Sequence, residues 1–493
     1  MMIDLPDEAA TAALGEDIAA VLAQGDVVAL RGDLGAGKTT LARALLRALA
    51  ADPALEVPSP TFTLVQAYAT PRLAVAHFDL YRIADASELA ELGLDEAAAE
   101  GAVLVEWPER AGDRLPRERV DLTLAIAGSG RRVAMDGAGT LRERVRRSIA
   151  ARTFLNASGW SGSRRIPIAG DASTRRYARV TDAAGRTAIL MDWPPAGQLP
   201  PDDPRARFRA HSSSAFIAVD AALAAAGLSV PEIYAADSDA GFVLMEDFGQ
   251  EPLTVEGAPD PLRFGVAIDA LAAIHGAPRP LEVPLPGGGT HRLPHFGGDA
   301  LVPEVAVFAD AYMPFVSGVP LSASERDELM AIWRTLGGRL ATAEQSWVLF
   351  DVQTPNLFWL RAREGIRRVG FIDFQDMFVG PAAYDVASFL GDARIDVRPA
   401  VADELAARYV AVRRAVAAAF DESAFREQLA ICTVLRTLKN MGAFARFASA
   451  GNANYVKHLP RLRGYLSRAL RAPVLTPFAL WYERRFPTEA GTA

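Results

Sequence analysis

The sequence predicts an α/β P-loop domain followed by a two-lobed α+β domain built in kinase-like order. Three observations carry this. The apolar run Val27 to Leu30 leads into Gly32-Asp33-Leu34-Gly35-Ala36-Gly37-Lys38-Thr39 and then into a helical pattern from Leu41 to Leu49, the strand–loop–helix order that a phosphate-binding loop requires. Beyond residue 150 the pattern turns first to short strands and then to long helices, a small β-rich lobe before a larger helical one. The 493 residues exceed one ordinary core, and two or three domains of roughly 100 to 200 residues are expected.

In the first part, Val27 to Leu30 suits a buried parallel strand. Leu73 to Phe78 and Val103 to Val105 are further strands, and Val120 to Ala127 pairs with Arg131 to Met135 through Gly128-Ser129-Gly130. Leu141 to Leu155 reads as a charged helix whose arginines form a solvated face rather than an RNA-binding patch. The domain boundary is set near residue 150, giving 1–150 and 151–493, the second with an N-lobe of about 155–250 and a C-lobe of about 251–480. There, Arg175 to Val180, Thr187 to Met191 and Gly241 to Met245 read as strands, and Phe208 to Ala226 and Leu262 to Ile274 as helices. Pro278 to Gly298 reads as a long Pro- and Gly-rich loop. In the helix Val401 to Phe420, Leu405, Tyr409, Val412, Val416 and Phe420 share one face. No internal repeat is visible.

Half the residues are apolar and 23% are charged, a globular composition. The formal net charge of -8, with both signs spread along the chain, argues against general nucleic-acid coating. The single cysteine, Cys432, excludes an intramolecular disulfide and a cysteine-based metal cluster; its apolar neighbours predict a buried helix. The acidic N-terminus lacks a signal-peptide pattern. No uninterrupted apolar run approaches the ~20 residues that span a bilayer, so no membrane partner and a cytoplasmic location are expected.

The glycines of the 32–39 loop let backbone N–H groups turn toward phosphates, and the helix N-terminus behind them favours anions. Leu34, Gly35, Ala36 and Gly37 are the cradle, Lys38 reaches the β- and γ-phosphates, and the Thr39 hydroxyl ligates Mg2+. Glu106 directly follows an apolar strand, where an acid holds or relays to Mg2+. Asp79 ends another strand and reads equally as a cap or a catalytic acid.

With Ser59-Pro60-Thr61-Phe62-Thr63-Leu64, His77-Phe78-Asp79-Leu80-Tyr81-Arg82 and Val105-Glu106-Trp107-Pro108, this loop resembles the small ATPase family of tRNA threonylcarbamoyladenosine biosynthesis, TsaE, over about residues 1–147. The resemblance implies ATP hydrolysis that cycles the threonylcarbamoyl-transferase complex acting on adenosine 37 of ANN-decoding tRNAs, with tRNA engaged only indirectly. It also implies Thr39 and Glu106 as metal ligands, Asp79 as an active-site acid and Thr61 in a switch-like loop near the γ-phosphate.

A second constellation lies downstream. Asp351 and Asn356 have the five-residue spacing of a kinase catalytic loop, where the Asp accepts the proton of the attacking hydroxyl and the Asn ligates Mg2+. Asp373, in Gly370-Phe371-Ile372-Asp373-Phe374, stands where a kinase places its metal-bridging Asp, about 20 residues on, with a hairpin pattern between. Gly170 to Tyr177 reads as a weak glycine-rich loop in which Ser173 and Thr174 offer hydroxyls to phosphates. Met245 to Asp247 fits a hinge whose backbone holds adenine. His275 reads as a helix C-cap, and Asp376, Asp385, Arg436 and Lys439 as sugar contacts or as salt bridges under the helical lobe.

With Leu190-Met191-Asp192, Gly241 to Gly249, Gly380-Pro381, Tyr384-Asp385 and Lys439 to Phe444, these segments resemble the aminoglycoside-phosphotransferase-like superfamily over about residues 155–475. Within it they are most similar to the N-acetylmuramate/N-acetylglucosamine anomeric kinases of cell-wall recycling. The fold implied for the whole chain is an α/β P-loop NTPase domain followed by an α+β protein-kinase-like, aminoglycoside-phosphotransferase two-lobed domain. ATP, Mg2+ and an N-acetyl amino sugar are the implied cofactors and substrate. One departure bears on activity: Leu349 and Phe350 replace the His and Arg that brace the catalytic loop in the wider superfamily. Met191-Asp192 stands where the third-strand Lys is usual, but the anomeric-kinase family it resembles also lacks that Lys, so the absence says little. Two alternatives stay open for this half: a kinase of an aminoglycoside, choline or homoserine, or a catalytically dead binding module.

Overall fold

The computed structural model describes every residue except 85, 169–174, 195–209, 211, 277–278 and 487–493. Ser173, Thr174 and most of the expected glycine-rich loop therefore lie outside the described residues. The chain divides into two compact units, Met1–Asp192 and Trp193–Ala493.

The first unit opens with β1 (Met2–Leu5), α1 (Glu8–Ala19), β2 (Val27–Arg31), α2 (Lys38–Ala50), β3 (Val65–Ala69) and β4 (Ala74–Asp79). Then come α3 (Leu94–Glu100), β5 (Ala102–Glu106), β6 (Val120–Ala127), β7 (Gly130–Gly137) and α4 (Thr140–Ala157). The strands form a seven-stranded sheet in the order β1-β7-β6-β2-β5-β4-β3. Its centre is parallel, β4 on β5 and β5 and β6 on β2. Alternate residues of the central strands feed two cores. Val28, Leu30 and Leu104 pack with Leu14, Ile18, Leu41 and Leu45 of the helices. Val27, Val103 and Val105 pack with Phe78, Leu80 and Leu94 on the other face. Period-two alternation in strands buried on both faces produces this result.

Three arginines of α4 turn inward, which corrects the reading of that helix as a solvated face. Arg144 pairs with Asp26 at 2.5 Å, Arg152 with Asp17 at 2.9 Å and Arg147 with Asp192 at 2.7 Å. Their long stems cross apolar surface before the guanidinium reaches a carboxylate, so a charge-only reading misplaces them. Beyond α4, β8 (Arg164–Ile168), β9 (Arg176–Thr181) and β10 (Thr187–Asp192) form an antiparallel meander. Arg165 of β8 also pairs with Asp17. Burial raises the Asp17 pKa, against the pull of Arg165 and Arg152. Residue 150 falls inside α4, and the meander clusters with the first unit.

The second unit begins with α5 (Ser213–Ala225) and the hairpin β11 (Ile233–Asp237) and β12 (Phe242–Glu246). The small ribbon β13 (Thr254–Val255) and β14 (Ala258–Pro259) precedes α6 (Pro261–His275). The stretch expected to be one long loop holds a hairpin, β15 (Glu282–Pro284) with β16 (Thr290–Arg292). Gly287, Gly288 and Gly289 all have positive φ at its turn, which explains a composition that reads as loop. α7 (Val302–Val307), α8 (Met313–Ser317) and α9 (Ala323–Ala341) follow, then β17 (Gln345–Val348), β18 (Leu357–Trp359), β19 (Val369–Phe371) and β20 (Phe378–Pro381). The chain continues through α10 (Ala383–Leu390), α11 (Pro399–Val416), α12 (Glu422–Ser449), α13 (Leu459–Ala469) and α14 (Thr476–Arg485).

One further expectation is corrected, in α11. Gly298–Ser317 has the length and mean composition of a membrane-crossing helix, but Asp299, Glu304 and Asp310 interrupt its apolar residues. It is broken into short helical turns that pack on α12, with Phe308, Tyr312 and Met313 fully buried. The buried face of α11 is Leu405, Ala406, Tyr409, Val410 and Arg413, while Val416 is 66% exposed and Phe420 lies beyond the helix. Arg413 takes the expected apolar place because Glu344 at 2.6 Å and the Tyr409 hydroxyl at 3.0 Å satisfy it. Cys432 is fully buried on α12.

Candidate functional site

The first site sits at the C-terminal ends of β2, β4 and β5, where open α/β sheets place ligands. Gly32, Gly35 and Gly37 all have positive φ, and a Cβ on Gly32 would lie 2.3 Å from the Leu124 carbonyl oxygen. Arg131 of β7 donates through Nε to the Ala36 carbonyl at 2.9 Å and through Nη2 to that of Gly35 at 3.3 Å. These bonds anchor the loop through its carbonyls, while the Ala36 amide closes a turn onto the Asp33 carbonyl at 3.1 Å. Lys38 donates to the Gly32 and Asp33 carbonyls at 2.7 and 3.0 Å, and its Nζ lies 3.7 Å from the Trp107 ring centroid. Burial lowers the Lys38 pKa, opposed by Glu106, Glu109, Asp79 and Asp33.

The parallel register sets Asp79 beside Glu106. Glu106 is buried; its Oε2 accepts from the Thr39 hydroxyl at 3.0 Å and its Oε1 meets His77 Nε2 at 3.0 Å. Thr39 and Glu106 are thus brought together. Asp79 Oδ2 accepts from Ser59 at 2.5 Å and Thr61 at 2.7 Å, and Oδ1 accepts from the Tyr81 amide at 3.0 Å. In this geometry Asp79 holds the Thr61 segment in place. Leu34 and Phe62 stand outward, 80% and 86% exposed.

His77 and Arg131 carry this site without having been singled out by sequence. The signal for His77 was its period-two relation to Asp79, which puts both on the face that looks at Glu106. Arg131 had no local signal, because its partners lie 95 and 96 residues away.

The second site is built on the β18–β19 hairpin, whose register pairs Leu357 with Phe371. This pairing brings Asn356 and Asp373 together, with Asn356 Nδ2 3.4 Å from Asp373 Oδ2. The same Nδ2 donates to the Asp351 carbonyl at 2.9 Å. Gln375 Nε2 donates to Asp373 Oδ1 at 3.1 Å. Phe374 stacks on Phe216 of α5, ring centroids 5.1 Å apart. Met245 is buried at the next-to-last position of β12, and Asp247 Oδ1 accepts from the Gly249 amide at 2.9 Å, closing a turn after the strand.

The bracing that Leu349 and Phe350 seemed to remove is supplied from elsewhere. Asp385, fully buried on α10, accepts from the Leu349 amide at 2.7 Å and the Phe350 amide at 3.1 Å. His275 lies beneath it, Nε2 3.5 Å from Asp385 and Nδ1 3.0 Å from the Tyr409 hydroxyl. Asp392 accepts from the Thr354 amide at 2.7 Å. Phe350 (φ 77°) and Asp373 (φ 60°) sit in the left-handed region, a strain that clusters at functional sites. Arg436 pairs with Asp351 at 3.1 Å, and Lys439 lies 3.7 Å from Glu304. Asp376 is buried and accepts from the Ala210 amide at 2.7 Å. For Asp385 and Arg436 the geometry is therefore internal bracing rather than sugar contact.

Among the described residues no cluster of three or more His, Cys, Asp or Glu cages an ion. Mg2+ needs only one or two protein oxygens beside phosphates and water, and the Thr39–Glu106 and Asn356–Asp373 pairs fit that demand.

Residues 5–133 match the family threonylcarbamoyl adenosine biosynthesis protein TsaE, and residues 165–419 match the phosphotransferase enzyme family. An N-acetylmuramate/N-acetylglucosamine kinase of Caulobacter vibrioides is 32% identical over 361 residues, 70% of this chain and 98% of that protein. A tRNA threonylcarbamoyladenosine biosynthesis protein TsaE of Bacillus subtilis is 41% identical over 128 residues, 26% of this chain and 77% of that protein. One of Rickettsia bellii is 35% identical over 129 residues, 89% of its length. The chain is a fusion of a TsaE-family domain with a member of the phosphotransferase enzyme family. Both families use ATP, and the chain is an enzyme of P-loop NTPase fold followed by an aminoglycoside-phosphotransferase, protein-kinase-like fold. The β8–β10 meander belongs to the second family by sequence and to the first compact unit by contacts.

Proposed function

We propose that one chain carries two ATP-using activities: an ATPase that supports threonylcarbamoyladenosine modification at tRNA position 37, and an anomeric kinase of N-acetylmuramate and N-acetylglucosamine in cell-wall recycling. The first acts on the proteins of the threonylcarbamoyl-transferase complex and meets tRNA only through them. Both activities are cytoplasmic. The domain boundary of this reading stays near residue 150; the gap between the two family matches, residues 134–164, supports it. The observation that carries the kinase reading is the grouping of Asp351, Asn356 and Asp373 on the braced loops that flank one hairpin, beside a relative matched over nearly its whole length.

At the kinase site Asp351 takes the proton of the anomeric hydroxyl as its oxygen attacks the γ-phosphorus and the bond to the ADP oxygen breaks. Asn356 and Asp373 would hold Mg2+, and Met245 to Asp247 present backbone to adenine. Ser173 and Thr174 are offered to the phosphates. At the P-loop site the backbone of Leu34 to Gly37 cradles the phosphates, Lys38 binds the β- and γ-phosphates, and Thr39 and Glu106 hold Mg2+. Asp79 keeps Thr61 within reach of the γ-phosphate. Bound Mg2+ supplies charge neutralisation on the phosphates at either site.

A substrate panel on the full chain tests the kinase half. Sugar phosphate from N-acetylmuramate or N-acetylglucosamine, with no product from an aminoglycoside, choline or homoserine, is expected; the reverse selectivity refutes the reading. For the ATPase half, a Glu106→Ala chain should fail to restore the tRNA modification in cells lacking their own TsaE. Restoration by that variant would sink the assignment.

A further inference from the structure

We propose that Arg436 is the positioning residue of the kinase site, holding the Asp351 carboxylate in its reactive orientation from a helix that is distant in sequence. This rests on the reading of Asp351 as the base. Arg436 lies mid-way along α12, 2% exposed. Its Nη1 donates to Asp351 Oδ1 at 3.1 Å and to the Tyr384 hydroxyl at 3.3 Å. Its Nε is buried with no hydrogen-bond partner among the described residues. Its one carboxylate contact among the described residues is with the proposed reacting group, which makes that contact the feature to explain.

The surroundings make the guanidinium a fixed object. Phe350 stacks on Tyr384, ring centroids 5.6 Å apart and 15° from parallel. The Arg436 guanidinium carbon lies 5.5 Å from the Tyr384 ring centroid and 5.9 Å from that of Phe350. Burial works against its charge, but Tyr384 and Asp351 outweigh burial and raise its pKa. Asp385 fixes the backbone at Leu349 and Phe350, and Asn356 fixes the Asp351 carbonyl. Neither acts on the Asp351 side-chain torsions. The hold on Oδ1 does, and it sets the direction in which the other carboxylate oxygen faces. An error of about 1 Å in such a group costs on the order of 100-fold in rate.

The test uses the full chain as Arg436→Met, Arg436→Lys and Asp351→Asn, with sugar-dependent ADP formation as the readout. Arg436→Met is expected to lower kcat about 100-fold with KM for ATP within about twofold, and Arg436→Lys to recover about tenfold of that loss, since a point charge replaces a planar fork. A kcat for Arg436→Met within about twofold of the parent, with Asp351→Asn inactive, overturns the positioning role and leaves the base intact. Activity retained by Asp351→Asn overturns the reading beneath it. Should Arg436→Met be insoluble, Arg436→Lys decides: parental melting with about tenfold lower kcat supports the role, and parental kcat overturns it.

Discussion

The two nucleotide sites solve one problem with opposite chain geometry. The P-loop site is local: eight successive residues form the cradle, and Glu106 arrives by a parallel strand register. The kinase site is dispersed: its proposed base, amide and second acid lie on the loops flanking one hairpin, but Asp385 and Arg436, which hold the loop, come from positions 36 and 85 residues away. In the proposed reading, the first site offers a helix N-terminus and glycine backbone to phosphate. The second offers side chains, on a loop whose backbone amides a buried carboxylate organises. A local site should therefore be sensitive at few positions, whereas a dispersed one should be sensitive at several remote from substrate.

The largest effect expected is at the shared hairpin. Asp373→Ala should lower sugar phosphorylation about 10³-fold while ATP hydrolysis at the P-loop site stays within about twofold; separate steady-state assays check this, and a parallel fall in both would end the contrast.

The next effect separates the units by pH. Asp220 on α5 is 6% exposed, and its Oδ1 has no hydrogen-bond partner among the described residues. Burial, then the Glu246 carboxylate, pushes it up to about 8. The folded state therefore binds more protons than the unfolded one between the ordinary Asp range and pH 8, so the stabilising contribution is full below the ordinary Asp pKa and is lost as pH rises toward 8. Asp220→Asn should raise stability at pH 8 by on the order of 2 kcal/mol relative to pH 5. Denaturant unfolding of parent and variant at the two pH values checks this; equal pH dependence in both would contradict it.

Smaller effects belong to the P-loop site. His77→Ala should lower ATPase about tenfold and raise the Mg2+ concentration for half-maximal rate, as loss of an outer-shell partner does. An unchanged Mg2+ titration would remove His77 from the site. Arg131→Ala should raise KM for ATP about fivefold, roughly the worth of one hydrogen bond, with kcat unchanged.

What was legible in the sequence follows the same division. The P-loop, Glu106, and the Asp351–Asn356–Asp373 order could be read because each depends on near neighbours or on strand periodicity. Asp385 and Arg436 were visible only as polar residues near motifs, since nothing local says that one meets two amides and the other a carboxylate. The inward arginines of α4 read as a solvated face for a related reason, and Arg413 of α11 is not marked by the apolar pattern at all. A long side chain's destination is set by a partner elsewhere in the chain, such as Asp17, Asp192 or Glu344. The 282–292 hairpin was hidden by its own turn, whose three glycines outweighed two short strands in composition.

The most direct test of the central claim, two separately built ATP sites in one chain, is a double dissociation on full-length protein. Thr39→Ala and Asp351→Asn are each assayed for sugar-independent ATP hydrolysis and for sugar-phosphate formation. The account predicts that Thr39→Ala loses the first about 100-fold and keeps the second, and that Asp351→Asn does the reverse. Loss of both activities through either single substitution would contradict it.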